Sequence, residues 1–181
     1  HNPGGPEEDF GIKYNCENGG PAPEKVTEVM YQNTTTIQSY KISKEFPDID
    51  ISTPGLTTVT AADGSTEVNV EVISTTESHV ALLKTVFDFK AIKGLLDRED
   101  FSMVYDAMHG VNGPYAKAIF VGELGQPEEV CMNSVPKDDF NGGHADPNLT
   151  YAKELVEIMG LDRKGLKIDV GDRAVPSFGA A

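Results

Sequence analysis

The sequence predicts an α/β protein in which short strands and helices take turns along the chain. Three observations predict it. Val68, Val70 and Val72 alternate with polar neighbours, the period of a strand. From about residue 74 onward, runs with helical spacing alternate with short apolar runs bounded by Gly and Pro, which implies layered α/β architecture. Hydrophobic residues make up 39% of the 181 positions, enough for a packed core.

The elements follow in order. Pro3, Gly4, Gly5 and Pro6 forbid regular structure at the start, and residues 11–15 read as a short strand ended by Asn18, Gly19, Gly20 and Pro21. Pro23 and Glu24 suit a first helical turn, and Val26, Val29, Met30, Ile37 and Tyr40 carry helical spacing over 24–40. Residues 43–66 lose that rhythm around Pro47, Pro54, Gly55, Asp63 and Gly64 and read as an irregular excursion with one hairpin. A domain boundary is expected at 73–75. Helices are expected at 77–87 and 89–96, with Asp88 as cap or break, then a strand at 101–105 and a loop containing Gly110 and Gly113. A helix at 115–124 and a short strand at 130–132 follow. The loop 133–148 holds Gly142, Gly143 and Pro147. Residues 149–159 place Leu149, Ala152, Leu155, Val156 and Met159 on one helical face. Residues 160–176 read as a polar surface insertion, and 177–181 as the start of another strand.

Composition excludes several function classes. The formal charge of −14 and the pI near 4.5 repel phosphate backbones and anionic lipid, so nucleic-acid binding is not expected. A phosphosugar remains compatible, because local amides and a few cations decide such binding. No apolar run approaches the roughly 20 residues that span a bilayer, so no membrane insertion is expected. Cys16 and Cys131 have no CxxC spacing and read as isolated thiols of a reducing cytosol. Asn33 and Asn148 head N-x-T sequons, patterns too short to argue for secretion.

Several longer stretches carry a resemblance. HNPGGPEEDFGIKYN (1–15), NGGPAPE (18–24), VFDFKAIKGLL (86–96), YDAMHGVNGPYAK (105–117), DDFNGGHADPNLTYAKELVE (138–157) and SFGAA (177–181) resemble, in order, segments of phosphoglucomutase-type α-D-phosphohexomutases. The resemblance is weakest over 43–66 and 160–176. It implies the C-terminal part of a first α/β domain over 1–73. Over 74–181 it implies most of a second such domain, with mixed sheets flanked by helices. By the same resemblance the chain begins one residue past the family's phosphoserine and stops just before its Asp-Gly-Asp-Gly-Asp metal loop, so an internal fragment, inactive alone, is expected.

The implied activity is interconversion of glucose 1-phosphate and glucose 6-phosphate through a phosphoserine enzyme and glucose 1,6-bisphosphate, with Mg²⁺ as cofactor. The implied partner is a hexose phosphate, the implied compartment the cytoplasm, and the implied state a monomer or weak oligomer. Parafusin-like relatives associated with exocytosis, and mutases of other hexose phosphates, are the alternatives. Phosphoryl transfer depends on positioning and charge neutralisation, which suits this set.

The implied site residues are few. Lys13, in the Gly-Ile-Lys motif, is expected beside the phosphoserine as a catalytic residue, either a general base or a cationic clamp on phosphate. Without the resemblance, such a lysine would read as solvated. His1 is expected in the catalytic loop, and Asn2 as a phosphate-binding neighbour; the bland alternative is that both only shape that loop. His109 and His144 lack helical pairing and accompanying cysteines, so no metal ligand is expected within the chain. Asp146 and Asn148 read as caps of the helix that follows, and Ala145 stands where the family usually has proline.

Overall fold

A computed structural model describes residues 12–42, 46–61, 64–144 and 146–181. They fall into two compact units, residues 12–74 and Thr75–Ala181. The α/β reading holds.

The first unit holds one helix and one hairpin. Residues 12–14 are not a strand: the expected strand reduces to a single bridge, Asn15 to Pro21, closed by Cys16 N donating to Gly20 O (2.8 Å) and Ala22 N to Tyr14 O (2.9 Å). Helix α1 spans Glu24–Thr36, four residues short of the expected end. The reason lies in its last turn. The hydroxyls of Thr34, Thr35 and Thr36 donate back to the carbonyls of Tyr31, Gln32 and Asn33, competing with the backbone ladder, and Ile37 then turns extended (φ −61°, ψ 131°). Strands β1 (Gly55–Thr60) and β2 (Glu67–Val72) pair antiparallel, with Val59 opposite Val68. Val59 is the buried residue of this unit among those described, and α1 buries none.

The second unit is a three-layer sandwich about a small parallel sheet. Helices α2 (Thr75–Val86) and α3 (Phe89–Leu96) come first, and the Asp88 side chain caps α3 by accepting from Ala91 N at 2.9 Å. Strand β3 (Met103–Asp106) is central, flanked by β4 (Cys131–Met132) and β5 (Phe178–Ala180), both parallel to it. Strand alternation feeds both faces. Met103 packs with Ala116, Val130, Cys131, Leu96 and Phe120 on one side; Val104 packs with Ala152, Leu155 and Met159 on the other. The expected helix at 115–124 begins earlier and is wound more widely: α4 (Gly113–Ala116) continues into a π-helical stretch, Lys117–Glu123. Helix α5 (Lys153–Ile158) starts later than expected, because a separate turn capped by Asn148 precedes it.

Two glycines set close approaches. A Cβ on Gly113 would stand 2.1 Å from the Ser134 carbonyl oxygen, and one on Gly179 would stand 2.6 Å from Met159 Sδ. The first contact is backbone and cannot yield easily. Gly113→Ala should therefore lower stability by about 1–3 kcal/mol, read as a fall in melting temperature by circular dichroism. Both cysteines are free thiols; Cys131 is buried, and burial pushes its thiol pKa up, with the charge of Lys117 opposing and that of Glu128 adding. Iodoacetamide at neutral pH should label Cys16 and spare Cys131 until the chain unfolds, which peptide mass spectrometry would show.

Candidate functional site at the end of the parallel sheet

From β3 the chain crosses to β4 on one side and later returns to β5 on the other, so the strand order reverses at β3. In open parallel sheets the crevice beyond the strand C-termini at such a reversal is where ligands bind. A cavity of about 200 Å³ lies there, walled by the ends of β3 and β4, the 140–144 turn and the start of α5.

Asp106, the last residue of β3, organises this rim. It is 2% exposed, and its Oδ1 accepts from Met108 N (2.8 Å) and from Asn133 Nδ2 (3.0 Å). The first bond is an Asx turn, which lets the chain leave the strand sharply. Asn133, just after β4, donates its Nδ2 also to Glu154 Oε2 in the first turn of α5 (3.0 Å). One amide thus joins two carboxylates from different elements. Backbone bonds sew the loops together: Ala107 N to Met132 O (3.1 Å), His109 N to Asn133 O (2.9 Å) and Lys137 N to His109 O (3.0 Å).

Backbone strain concentrates here. Five non-glycine residues among those described have positive φ: Met108 (49°), His109 (56°), Asn133 (49°), Phe140 (52°) and Asn141 (57°). All five line this cavity. Asparagine and, less readily, histidine tolerate the left-handed region; Met108 and Phe140 gain no such relief, and each costs on the order of 1–3 kcal/mol. Strain of this kind persists only where the surroundings over-determine it, and it clusters at functional sites.

The two histidines that the sequence set far apart meet on this wall. His109 Nδ1 lies 2.9 Å from the Val135 carbonyl, which can only accept, so this nitrogen carries the proton. The His144 ring stacks on Tyr151, with centroids 4.3 Å apart and planes at 14°. Asn148 does cap the following turn, its Oδ1 accepting from Thr150 N and Tyr151 N. Asp146 acts one step back: its carboxylate accepts from the Asn148 amide at 2.8 Å.

None of the sequence-derived site residues is among those that line this cavity. Lys13 belongs to the first unit, is exposed, and makes no ion pair among the described residues. His1 and Asn2 lie outside the described residues. Asp106, Asn133 and Glu154 were missed. An aspartate ending an apolar strand ahead of Met-His-Gly was a usable signal for the first; Glu154 looks like any exposed helical acid. Asp106→Ala should remove the acceptor for the Met108 N–H and the Asn133 amide together. The expected loss is about 1–3 kcal/mol, measured as a shift of the urea midpoint at unchanged slope.

Comparison with known proteins accounts for the whole chain. No family model matches it. It is 56% identical over 181 residues to the cytoplasmic phosphoglucomutase of Mesembryanthemum crystallinum and 55% identical to cytoplasmic phosphoglucomutase 1 of Zea mays. Both alignments cover all of this chain, which spans about 30% of the length of those relatives. The crystal structure of the Paramecium exocytosis-sensitive phosphoprotein pp63/parafusin, a phosphoglucomutase in an open form, superposes with a TM-score of 0.80 at 42% identity. That match covers 100% of this chain and 32% of that one. Over its full 181 residues, the chain is similar to phosphoglucomutases.

Proposed function

We propose that the polypeptide carrying these residues is a cytoplasmic phosphoglucomutase, interconverting glucose 1-phosphate and glucose 6-phosphate through a phosphoserine and glucose 1,6-bisphosphate. The observation that carries this reading is the identity of 52–56% to plant phosphoglucomutases over the full 181 residues. The two units are then consecutive domains of the mutase, 1–73 and 74–181. Among the described residues no helix is long and apolar enough to cross a membrane.

Lys13 is proposed as the cation beside the transferring phosphoryl group. Its exposure in this unit leaves the ammonium free to reach a phosphate, which favours a clamp over a buried neutral base. His1 and Asn2 are proposed to flank the nucleophile and to place its phosphate by hydrogen bonds. Mg²⁺ belongs to the family's reaction, but the described residues do not fit it: they hold no group of three or more His, Cys, Asp or Glu, and the sequence has no Asp-Gly-Asp-Gly-Asp run. No step here runs through the ion. The lower identity to parafusin, 42%, weighs against the exocytosis-associated alternative.

A coupled assay on the full-length polypeptide should show glucose 1-phosphate converted to glucose 6-phosphate with dependence on glucose 1,6-bisphosphate. No conversion would remove the reading. Lys13→Ala in that protein should lower turnover by about 100-fold with the melting temperature unchanged; equal turnover would take Lys13 out of the mechanism. Residues 1–181 expressed alone should not turn over.

A further inference from the structure

We propose that a second cavity of this unit, between α2, β3 and the π-helical stretch, binds a neutral planar lactam, a ring whose edge carries an N–H donor beside a carbonyl acceptor. The cavity holds about 500 Å³ and opens beside Val111, which is 66% exposed. Two features of its wall set the ligand.

The first is an incompletely paired amide. Asn112 lines the cavity and donates Nδ2 to the Tyr105 hydroxyl at 2.8 Å. Its Oδ1 is the one side-chain polar atom among the described residues that is buried without a partner. Such an acceptor costs stability unless a donor reaches it. Asn112 as a whole is half-buried, so a small turn of its side chain brings that oxygen to the cavity. Tyr105 stands on the same wall; its oxygen accepts from Asn112, and its own proton has no acceptor among the described residues. The wall thus offers one acceptor and one donor side by side. Turning the amide over exchanges the two roles and keeps the pair. Tyr105 then donates to Oδ1, leaving Nδ2 as the donor and a hydroxyl lone pair as the acceptor. A lactam edge, with donor and acceptor adjacent, answers either arrangement.

The second feature is the set of rings. Tyr105 and Phe120 lie with centroids 5.6 Å apart and planes at 45°, and His79 meets Tyr115 edge to face at 5.2 Å. All four rings line the cavity, and flat aromatic walls favour a planar occupant. No Asp, Glu, Lys or Arg is among the lining residues, so an ion would lose hydration there without gaining a counter-charge. Water alone fills the space poorly. One molecule takes about 30 Å³ and needs two to four polar partners, and the wall of Ala116, Ile119 and ring faces offers none. This inference rests on the cavity and not on the mutase reading.

The test uses the full-length polypeptide with isotope-labelled Asn side chains. The bicyclic lactam 2-quinolone is titrated to on the order of 1 mM, with N-methyl-2-quinolone as the analogue that lacks the donor. The expected result is a saturable shift of the Asn112 amide by 2-quinolone, with affinity about tenfold or more lower for the methylated analogue. Asn112→Leu, which keeps the bulk and removes the unpaired oxygen, should abolish that preference. Tyr105→Phe should reduce it, and serves as the second variant should Asn112→Leu fail to fold. Equal affinity for the two compounds in the native protein would overturn the proposal. So would the absence of a saturable shift with 2-quinolone, the result expected where water or another segment of the polypeptide satisfies Asn112. Because the readout is binding, its failure is separate from any failure of the mutase assay.

Discussion

The hydrogen bonds accepted by the buried Asp106 carboxylate are the interaction on which the sheet's working edge depends. Two strands end here, and two loops leave in backbone conformations that β-branched or bulky residues avoid. The carboxylate holds the first loop through the Met108 N–H and reaches the second through Asn133. Asn133 passes the constraint on to α5 through Glu154. Removing the carboxylate leaves the part-buried Met108 N–H without this acceptor and leaves the Asn133 amide with Glu154 alone. The left-handed residues at 108, 109 and 133 are held in place by these few contacts, and the cavity is the space they leave.

The rest of the second unit is arranged to hold that edge still. The central strand sends Met103 into one apolar layer and Val104 into the other, so helices clamp it from both sides. Glycines at 113 and 179 let backbone and α5 come closer than any side chain would allow. The first unit is built differently. Its helix buries no residue and its hairpin buries Val59, while Ile12, Ile37, Tyr40, Ile51 and Leu56 stay largely exposed. Little apolar area is removed from water there, so little hydrophobic stabilisation is gained within residues 12–74 alone.

Much of the architecture was legible in residue order. The alternation of Val68, Val70 and Val72 marked β2, Asp88 marked the break before α3, and the apolar run near 103 marked the central strand. The misreadings have local causes. Helical spacing at Ile37 and Tyr40 extended α1 too far, because periodicity does not register hydroxyls that bond back to their own turn. The helix before Gly125 hid its π winding, since apolar spacing alone does not distinguish it from an α-helix. The similarity to phosphoglucomutases was legible from long motifs. The cavity was not. Asp106, Asn133 and Glu154 lie 21 to 48 positions apart in pairs; the parallel pairing of β3 with β4 brings the first two together, and the packing of α5 against β3 brings the third. His109 and His144 were read as not ligating metal, and their placement on one wall, set by the strand ends and the 140–144 turn, was not visible in their spacing.

The central claim is that the Asp106 carboxylate holds the loops that leave the end of the sheet. Hydrogen exchange at the Met108 amide, compared between the native polypeptide and its Asp106→Ala variant, tests this most directly, because that N–H donates to the Asp106 carboxylate. The account predicts exchange faster by about tenfold or more in the variant. Unchanged exchange at that amide would contradict it.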